Sequence, residues 1–287
     1  MPKEPSPVNL TNDIITIADA LHSAFNKSAS FSYFLKKVFN IGLAENFSSH
    51  RNKAIMYYYA SMYSDLGGEV VECDDFNAVA LVCPPGSHID FSETKDTRFN
   101  KIWYEDYDET LESFIGETPF YYICLVGRNF NQEKKKGSVT KIFKHYMKMA
   151  DLRKCPIVLE AISDDSRQIY EHYGFKTLHS FKYGENEVNE RGELDSKGEG
   201  FTAYLMIYYS GDLEEYKNSG ITDDQLIKID PKTYEPIVEV SAVAPTSLAK
   251  SQNLTIVSTS VDNTTVPATV LDDAVPLRTG IAVNKEK

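Results

Sequence analysis

The chain has 287 residues, of which 42% are hydrophobic and 12% aromatic, so it can bury one large core or two smaller ones. Its formal net charge of −12 argues against general binding to nucleic acids or anionic membranes, whose phosphates it would repel. The N-terminus shows no apolar signal segment and no stretch is as long as a membrane span, so we expect a cytosolic or nuclear protein. Its four cysteines are too widely spaced to suggest a metal motif or a disulfide framework.

Three helices are predicted in the first quarter of the chain. Apolar residues recur at helical spacing over 14–25, with Asn12 or Asp13 placed to cap the helix. A short helix over 31–39 and a longer one over 51–66 follow, the second rich in tyrosine. These tyrosines could line a substrate pocket, although aromatic side chains at helical spacing more often pack in a core.

The next part of the chain predicts a largely antiparallel sheet and a helical cover. Residues 69–73 and 78–83 alternate as two strands of a hairpin around an Asp-Asp-Phe-Asn turn. Residues 87–118 have a helical pattern that contains the single tryptophan, Trp103, which we interpret as a core residue rather than a ligand contact. The apolar run at 120–127 predicts a strand that is buried on both faces.

A strand–helix–strand unit follows. Residues 138–150 form an amphipathic helix, and 157–161 a strand parallel to the one before it, because a crossover containing a helix joins the two. Asp164 or Asp165 can cap a further helix that runs to Tyr173. The remaining elements are two strands and the charged segment between them, predicted as a mobile loop: 175–183, 201–209 and 185–200.

Composition divides the chain into four parts. A flexible lead over 1–9 precedes one α/β (α+β) domain over 10–210, which has a mixed sheet. Residues 211–240 form an acidic appendage, and 241–287 are rich in Ser, Thr, Val and Ala with few aromatic residues. That composition is typical of a disordered tail, although its Val and Thr segments could instead add an edge strand.

Positive charge is concentrated in the loop before the helix at 138–150. The helix dipole disfavours Lys134, Lys135 and Lys136 at this position unless an anion lies among them. The unpaired N–H groups at the start of a helix also favour an anion. The pattern therefore predicts a phosphate site, whereas the lysines within the helix itself are better interpreted as a solvated face.

Two motifs between residues 120 and 176 carry a resemblance to a known family. They are Gln132-Glu133-Lys134-Lys135-Lys136-Gly137-Ser138 after an apolar strand, and Tyr170-Glu171-His172-Tyr173-Gly174-Phe175 at the end of a helix. With the Leu-Glu-Ala strand between them they resemble the core of the GNAT superfamily of N-acetyltransferases, over roughly residues 10–210. The resemblance implies a mixed, mostly antiparallel sheet flanked by helices, with a parallel pair of strands splayed around the cofactor site.

The resemblance implies acetyl-CoA as the co-substrate. In the family the backbone of a Gln/Arg-x-x-Gly-x-Gly/Ala loop cradles the pyrophosphate. Gln132 and Gly137 match its ends, but Lys135 replaces its middle glycine with a charge that could pair with a phosphate. Backbone groups of Leu125 and Gly127 would hold the pantetheine arm and polarise the thioester carbonyl. The implied cofactor-binding residues are Leu125, Gly127, Gln132, Lys134, Lys135, Lys136, Gly137, Ser138, Ser163 and Tyr173.

The same resemblance assigns Tyr170 as the general acid that protonates the CoA thiolate, while the residues alone allow a tyrosine packed between sheet and helix equally well. Glu160 is a candidate general base and Glu72 a weaker one, although each could be a structural carboxylate and a water relay could replace both. No metal-ligand spacing and no Ser/His/Asp signature are visible in the sequence.

These observations predict an N-acetyltransferase in which an amine attacks the acetyl thioester directly. We expect a small acceptor in a pocket with acidic walls, lined by parts of 51–66, 87–118 and 184–200. The alternative is a catalytically degenerate GNAT-like domain that acts as a binding or regulatory protein, and Lys135 is the feature that separates the two. A nucleotide-binding protein of another fold is disfavoured, because the loop lacks the Gly-Lys-Ser/Thr ending of a P-loop.

Overall fold

The structure, a computed structural model, describes residues 7–46, 48–87, 89 and 93–237. Within this part of the chain no helix is long and apolar enough to cross a membrane. The helices and strands are, in chain order, β1 (Val8–Leu10), α1 (Ile14–Phe25), α2 (Ala29–Val38), α3 (Ser49–Asp65), β2 (Glu69–Cys73), β3 (Ala78–Cys83), α4 (Thr97–Asn100), a π-helical segment (Lys101–Asp106), α5 (Tyr107–Ile115), β4 (Tyr121–Arg128), α6 (Ser138–Arg153), β5 (Ile157–Ala161), α7 (Asp164–His172), β6 (Lys176–Tyr183), β7 (Phe201–Tyr208) and α8 (Leu213–Asn218).

A seven-stranded sheet in the order β1-β2-β3-β4-β5-β7-β6 forms the centre of the fold. Its neighbouring strands are antiparallel except β4 and β5, which are parallel because the connection through α6 carries the chain back to the same end of the sheet. The predicted mixed, mostly antiparallel sheet with one parallel pair is therefore confirmed.

Helices cover both faces of the sheet, and the alternation of strand residues explains why. Ala80 and Val82 of β3 belong to the core beneath α6, whereas Val79 and Leu81 belong to the core beneath α1 and α3. On the second face, α5 covers β5, β6 and β7 through Leu111 and neighbouring apolar residues. The result is a three-layer arrangement with the sheet in the middle.

The strand β4 contributes to the cores on both faces of the sheet, as the sequence predicts, and it also contains a bulge. Leu125 pairs with Leu81 and Ile123 pairs with Val82, so Cys124 is an extra residue that forms the bulge. Cys124 and Leu125 consequently both turn towards the core beneath α1 and α3, whereas Tyr121 and Ile123 belong to the core beneath α6. The apolar run indicates burial on both faces but gives no sign of the bulge.

Two segments predicted as flexible are folded. Residues 8 and 9 of the predicted lead belong to the edge strand β1, which pairs with β2. Residues 185–200 form a compact loop in which Asn186 N–H donates to the Gly198 carbonyl at 2.8 Å and Val188 is fully buried. The charges and glycines of this segment are typical of a mobile loop, but here the glycines form tight turns that pack against the protein.

The segment predicted as an acidic appendage is described as far as residue 237 and packs against the domain. Tyr216 is buried and donates a hydrogen bond to the Pro119 carbonyl at 2.6 Å. Farther along, the Tyr234 hydroxyl lies 2.7 Å from His145 Nδ1 on α6, and Lys148 Nζ lies 3.5 Å from the centre of the Tyr234 ring. The tail predicted as disordered, 241–287, lies outside the described residues.

The buried His145 predicts a pH dependence of stability. Burial, together with the smaller effect of the charge of Lys148, lowers the pKa of His145 from its ordinary 6.5 to about 4. Since the unfolded chain takes up this proton at higher pH than the folded chain, stability falls as pH drops from about 6.5 towards 4. This one group should account for about 1–2 kcal/mol between about pH 7 and pH 5.

Urea unfolding at the two pH values tests this prediction with His145→Gln and, as a control, the exposed His172→Gln. We expect the difference in unfolding free energy between the two pH values to shrink in His145→Gln and to persist in His172→Gln. An unchanged difference in His145→Gln would contradict the assignment.

Candidate functional site

A cavity of about 550 Å³ opens where β4 and β5 separate. The two strands pair through Tyr121 and Tyr122, and beyond this point β4 has no partner strand on that side among the described residues. Four consecutive residues of β4, 123–126, line the cavity, so it meets the backbone edge of the strand rather than one of its faces. Its volume is within the range of small-molecule sites.

Glu160 near the end of β5 is the partly buried carboxylate of this cavity. It accepts hydrogen bonds from the hydroxyls of Tyr107 and Tyr122, the second at 2.6 Å. Burial raises the pKa of Glu160, and the two hydrogen bonds partly oppose that rise. A carboxylate has lone pairs beyond those used by the two phenols, so Glu160 can still accept a proton from a ligand.

Tyr170 on α7 lies at the same cavity as Glu160. Its ring packs between Phe143 and Phe175, with ring centres 5.4 and 6.1 Å away. Burial raises the pKa of Tyr170 to about 12, and the charge of Glu160 contributes to the rise. The phenol therefore stays protonated near neutral pH and can donate its proton. Tyr170 can therefore be both a general acid and a packed side chain, because its ring packs against other rings while the residue also lines the cavity.

The loop before α6 is bound to the turn between β2 and β3. Lys135 Nζ donates to the Asp74 carbonyl at 2.7 Å, and Ser138 Oγ donates to the Asp74 carboxylate at 2.6 Å. Gln132 Nε2 donates to the Asp75 carbonyl at 3.1 Å. These three side chains, predicted to bind the cofactor, therefore make contacts within the protein, and none of them lines the cavity.

Asn77 is fully buried at the centre of this contact and was not predicted as a site residue. Its Oδ1 accepts from the N–H of Lys135 at 3.0 Å, and its Nδ2 donates to the carbonyl of Glu133 at 2.7 Å. One side chain thus fixes the loop backbone at two points. The sequence places Asn77 only in a hairpin turn and gives no indication that the turn meets this loop.

The start of α6 keeps the features of an anion site. Gly137 precedes the helix with φ of +88°, a conformation that favours glycine. No side chain caps the helix there, so its first backbone N–H groups are available to an anion. Lys134 and Lys136 are exposed in the adjoining loop, whereas Lys141 is paired with Asp74 at 2.6 Å.

Gly127 has a packing role in the structure. A Cβ at this position would lie 2.6 Å from Ala24 Cβ, so glycine permits the close approach of α1 to β4. Gly127 does not line the cavity, but Leu125, predicted together with it, does.

Two further predicted residues belong to α7. Ser163 lines the cavity and caps the helix, since its Oγ accepts from the N–H of Ser166 at 3.1 Å. This corrects the prediction of Asp164 or Asp165 as the cap, because serine one position earlier forms a capping box. Tyr173 lies at the far end of the helix, where its hydroxyl is 2.8 Å from that of Thr140 on α6. It therefore connects α7 to the first turn of α6.

Glu72, the weaker candidate base, makes contacts that stabilise the fold away from the cavity. It accepts from Asn9 Nδ2 at 2.7 Å and from the N–H of Phe76 at 2.9 Å, and it does not line the cavity. These contacts join β1 to the hairpin turn. In the described part of the chain no group of three or more His, Cys, Asp or Glu side chains is placed to hold a metal ion.

The walls of the cavity agree only partly with the sequence prediction. Tyr59 is the one tyrosine of 51–66 that lines it, and 87–118 supplies several aromatic residues, among them Trp103. Trp103 was interpreted as a core residue; it packs on other rings but also reaches the cavity. The prediction for 184–200 is wrong, because this loop folds against another part of the domain. The sequence gives no indication of the wall residues Phe25, Phe31, Phe34 and Tyr122.

Comparisons with known proteins agree with this geometry. Residues 9–88 match the family described as the YOR012W acetyl transferase domain. The chain is 38% identical over 205 residues to the uncharacterized protein YDR391C of Saccharomyces cerevisiae, covering 70% of this chain and 86% of that protein. It is 41% identical over 101 residues to the uncharacterized protein YOR012W of the same yeast, covering 35% and 74%.

A solved structure shows the same fold. The C-terminal condensation domain of Ebony, in complex with beta-alanyl-dopamine, aligns with a TM-score of 0.51 at 12% identity, over 70% of this chain and 97% of that domain. The chain belongs to the family of YDR391C and YOR012W, whose family model is described as an acetyl transferase domain.

The contacts of Asn77 predict a strong effect of its removal. Asn77→Ala leaves the Lys135 N–H and the Glu133 carbonyl without their partner, which should lower the unfolding free energy by about 2–3 kcal/mol. Urea unfolding measures this loss, and hydrogen exchange should show faster exchange within residues 133–138. Asn131→Ala, an exposed change in the same loop, is the control. Equal stability of the two variants would show that Asn77 does not hold the loop.

Proposed function

We propose that this protein is an acetyl-CoA-dependent N-acetyltransferase that acetylates a small amine by direct attack. The observation that supports it best is the position of Glu160 and Tyr170, which line one cavity at the free edge of β4. A proton acceptor and a proton donor at one cavity are what amide formation from a thioester requires. Family membership makes acetyl transfer the reaction to test first.

The chain offers two places for the two ends of acetyl-CoA. The thioester end suits the cavity, where the unpaired edge of β4 at 123–126 can hydrogen-bond the pantetheine arm. The phosphates suit the uncapped start of α6 beside Lys134 and Lys136. Because Gln132, Lys135 and Ser138 already bind the hairpin turn, backbone amides and the exposed lysines carry the phosphate recognition in this proposal.

The reaction moves three protons. An ammonium group entering the cavity gives one proton to Glu160, which releases it to solvent, and the free amine attacks the thioester carbonyl carbon to form the C–N bond. As the tetrahedral intermediate collapses, the C–S bond breaks, the nitrogen releases its second proton to solvent and Tyr170 protonates the departing thiolate. Tyr170 regains a proton from solvent, so the products are an N-acetyl amine, CoA and one proton.

A second candidate is a degenerate domain that binds no acetyl-CoA. Lys135 stands where the family loop has a glycine, and the Asp74 carboxylate lies against Ser138 and Lys141 at the start of α6. A negative charge there competes with a phosphate. Titration calorimetry decides between the two, because binding of acetyl-CoA supports the transferase and no heat at millimolar acetyl-CoA supports the degenerate domain.

Tyr170→Phe tests the acid. We expect kcat to fall about 100-fold while the affinity for acetyl-CoA stays within about twofold, because only the proton donor is lost. CoA release gives the rate and calorimetry the affinity. The control is Tyr57→Phe, a change at a tyrosine that is 49% exposed and outside the cavity. Turnover of Tyr170→Phe equal to the control would remove Tyr170 from this role.

Glu160→Gln tests the base through its pH profile. Burial raises the pKa of Glu160 above the ordinary carboxyl value of 4.5, so its basic form, and with it kcat/KM, increases as pH rises through that elevated pKa. The pKa of Tyr170, about 12, places the loss of the acid form at much higher pH. Glu160→Gln should lower kcat/KM and abolish the acid limb, whereas the exposed Glu171→Gln should keep it. An acid limb retained in Glu160→Gln would assign the base to another group.

A further inference from the structure

The charge and ring content of the cavity restrict its ligand. Among the described residues, nine aromatic side chains other than Tyr170 line it: Phe25, Phe31, Phe34, Tyr59, Trp103, Tyr104, Tyr107, Phe120 and Tyr122. Three carboxylates, Glu93, Asp108 and Glu160, also line it, and none of its described lining residues is Lys, Arg or His. Such a wall attracts a cation and an aromatic group and repels an anion.

An unusual backbone segment supplies two of these rings. The π-helical segment Lys101–Asp106 lies between α4 and α5 and carries Trp103 and Tyr104 as neighbours. Both line the cavity. π-Helical turns are rare and recur at functional sites, where they change the direction of side chains. In this protein the π-helical segment places an indole and a phenol next to each other in the cavity wall.

Both neighbours carry a buried polar atom without a hydrogen-bond partner among the described residues, Trp103 Nε1 and Tyr104 Oη. Burial raises the pKa of Tyr104 to about 12, with a contribution from the charge of Glu93, so the phenol is a donor near neutral pH. A buried polar atom without a partner is costly, and a ligand acceptor would satisfy both atoms. In contrast, the hydroxyls of Tyr107 and Tyr122 already bind Glu160.

We propose that the acceptor is an arylalkyl primary amine without a carboxylate, whose ring carries a polar substituent that pairs with Trp103 Nε1 and Tyr104 Oη. This inference rests on the proposed function and names its substrate class. The ammonium group meets Glu160, and the ring packs among the aromatic walls. A free amino acid is disfavoured, because its carboxylate would enter a cavity that has three carboxylates and no described basic side chain.

The single tryptophan of the chain gives a direct binding assay. Since Trp103 is the only tryptophan and lines the cavity, its fluorescence reports occupancy without any need for turnover. We expect tyramine to change this emission saturably, with an affinity at least about tenfold higher than that of tyrosine or butylamine. The titrations are made with and without CoA. Equal affinities for tyramine and tyrosine, or no response to tyramine, would overturn the proposal.

The polar contact has a test of its own. Tyr104→Phe keeps the ring and removes the hydroxyl, so the preference for tyramine over phenethylamine in binding should fall by about tenfold. Tyr57→Phe is the matched control and should keep the preference. Thermal unfolding of each variant confirms that it is folded. A preference that Tyr104→Phe leaves unchanged would overturn the assigned contact.

CoA release separates the failure of this inference from the failure of the proposed function. Release with butylamine or tyrosine but not with tyramine would overturn the substrate class and leave the transferase intact. Saturable binding of tyramine with no CoA release from any amine would support the ligand class and reject the transferase. Release that is at least about tenfold faster with tyramine than with tyrosine supports both.

Discussion

The separation of β4 from β5 is the constraint on which the site depends. The two strands pair through Tyr121 and Tyr122 only, and the bulge at Cys124 bends β4 just after that point. Backbone groups on the freed edge of a central strand need partners, and the cavity beside them is where a ligand can supply those partners. Glu160 on β5 and Tyr170 on α7 can meet the same ligand only because this opening brings both elements opposite the free edge of β4.

The loop before α6 is held in place by the hairpin turn between β2 and β3. The turn at Asp74–Asn77 accepts hydrogen bonds from the backbone N–H of Lys135 and from the side chains of Lys135 and Ser138 in this loop. This explains how Lys135 can replace the glycine expected in the family: its side chain lies on the turn and makes a contact that a glycine could not make. In the proposed function, phosphate recognition is therefore left to the uncapped start of α6.

The environment of Glu160 joins the chemistry to the choice of ligand. Two phenols hold the partly buried carboxylate, and the other described lining residues are aromatic, aliphatic, acidic or neutral, with no Lys, Arg or His among them. A charge placed in such a site interacts strongly with a ligand of opposite sign, because little water is present to screen it. The same burial that raises the pKa of Glu160 therefore favours a cationic amine as the group that meets it.

The sequence by itself determined the order and type of most elements and the mixed sheet, and it indicated Glu160 and Tyr170 as candidate site residues, because apolar periodicity, turns and caps are local. The tertiary structure alone decided what depends on distant residues. It brought Asn77 to the loop 58 residues away in sequence, assigned Tyr107 and Tyr122 to Glu160, and turned Trp103 towards the cavity as well as the core. It also folded residues 8 and 9 and the segment 185–200, which local composition marked as flexible. Contacts between remote segments leave no periodic trace in a single sequence, so only the packed chain reveals them.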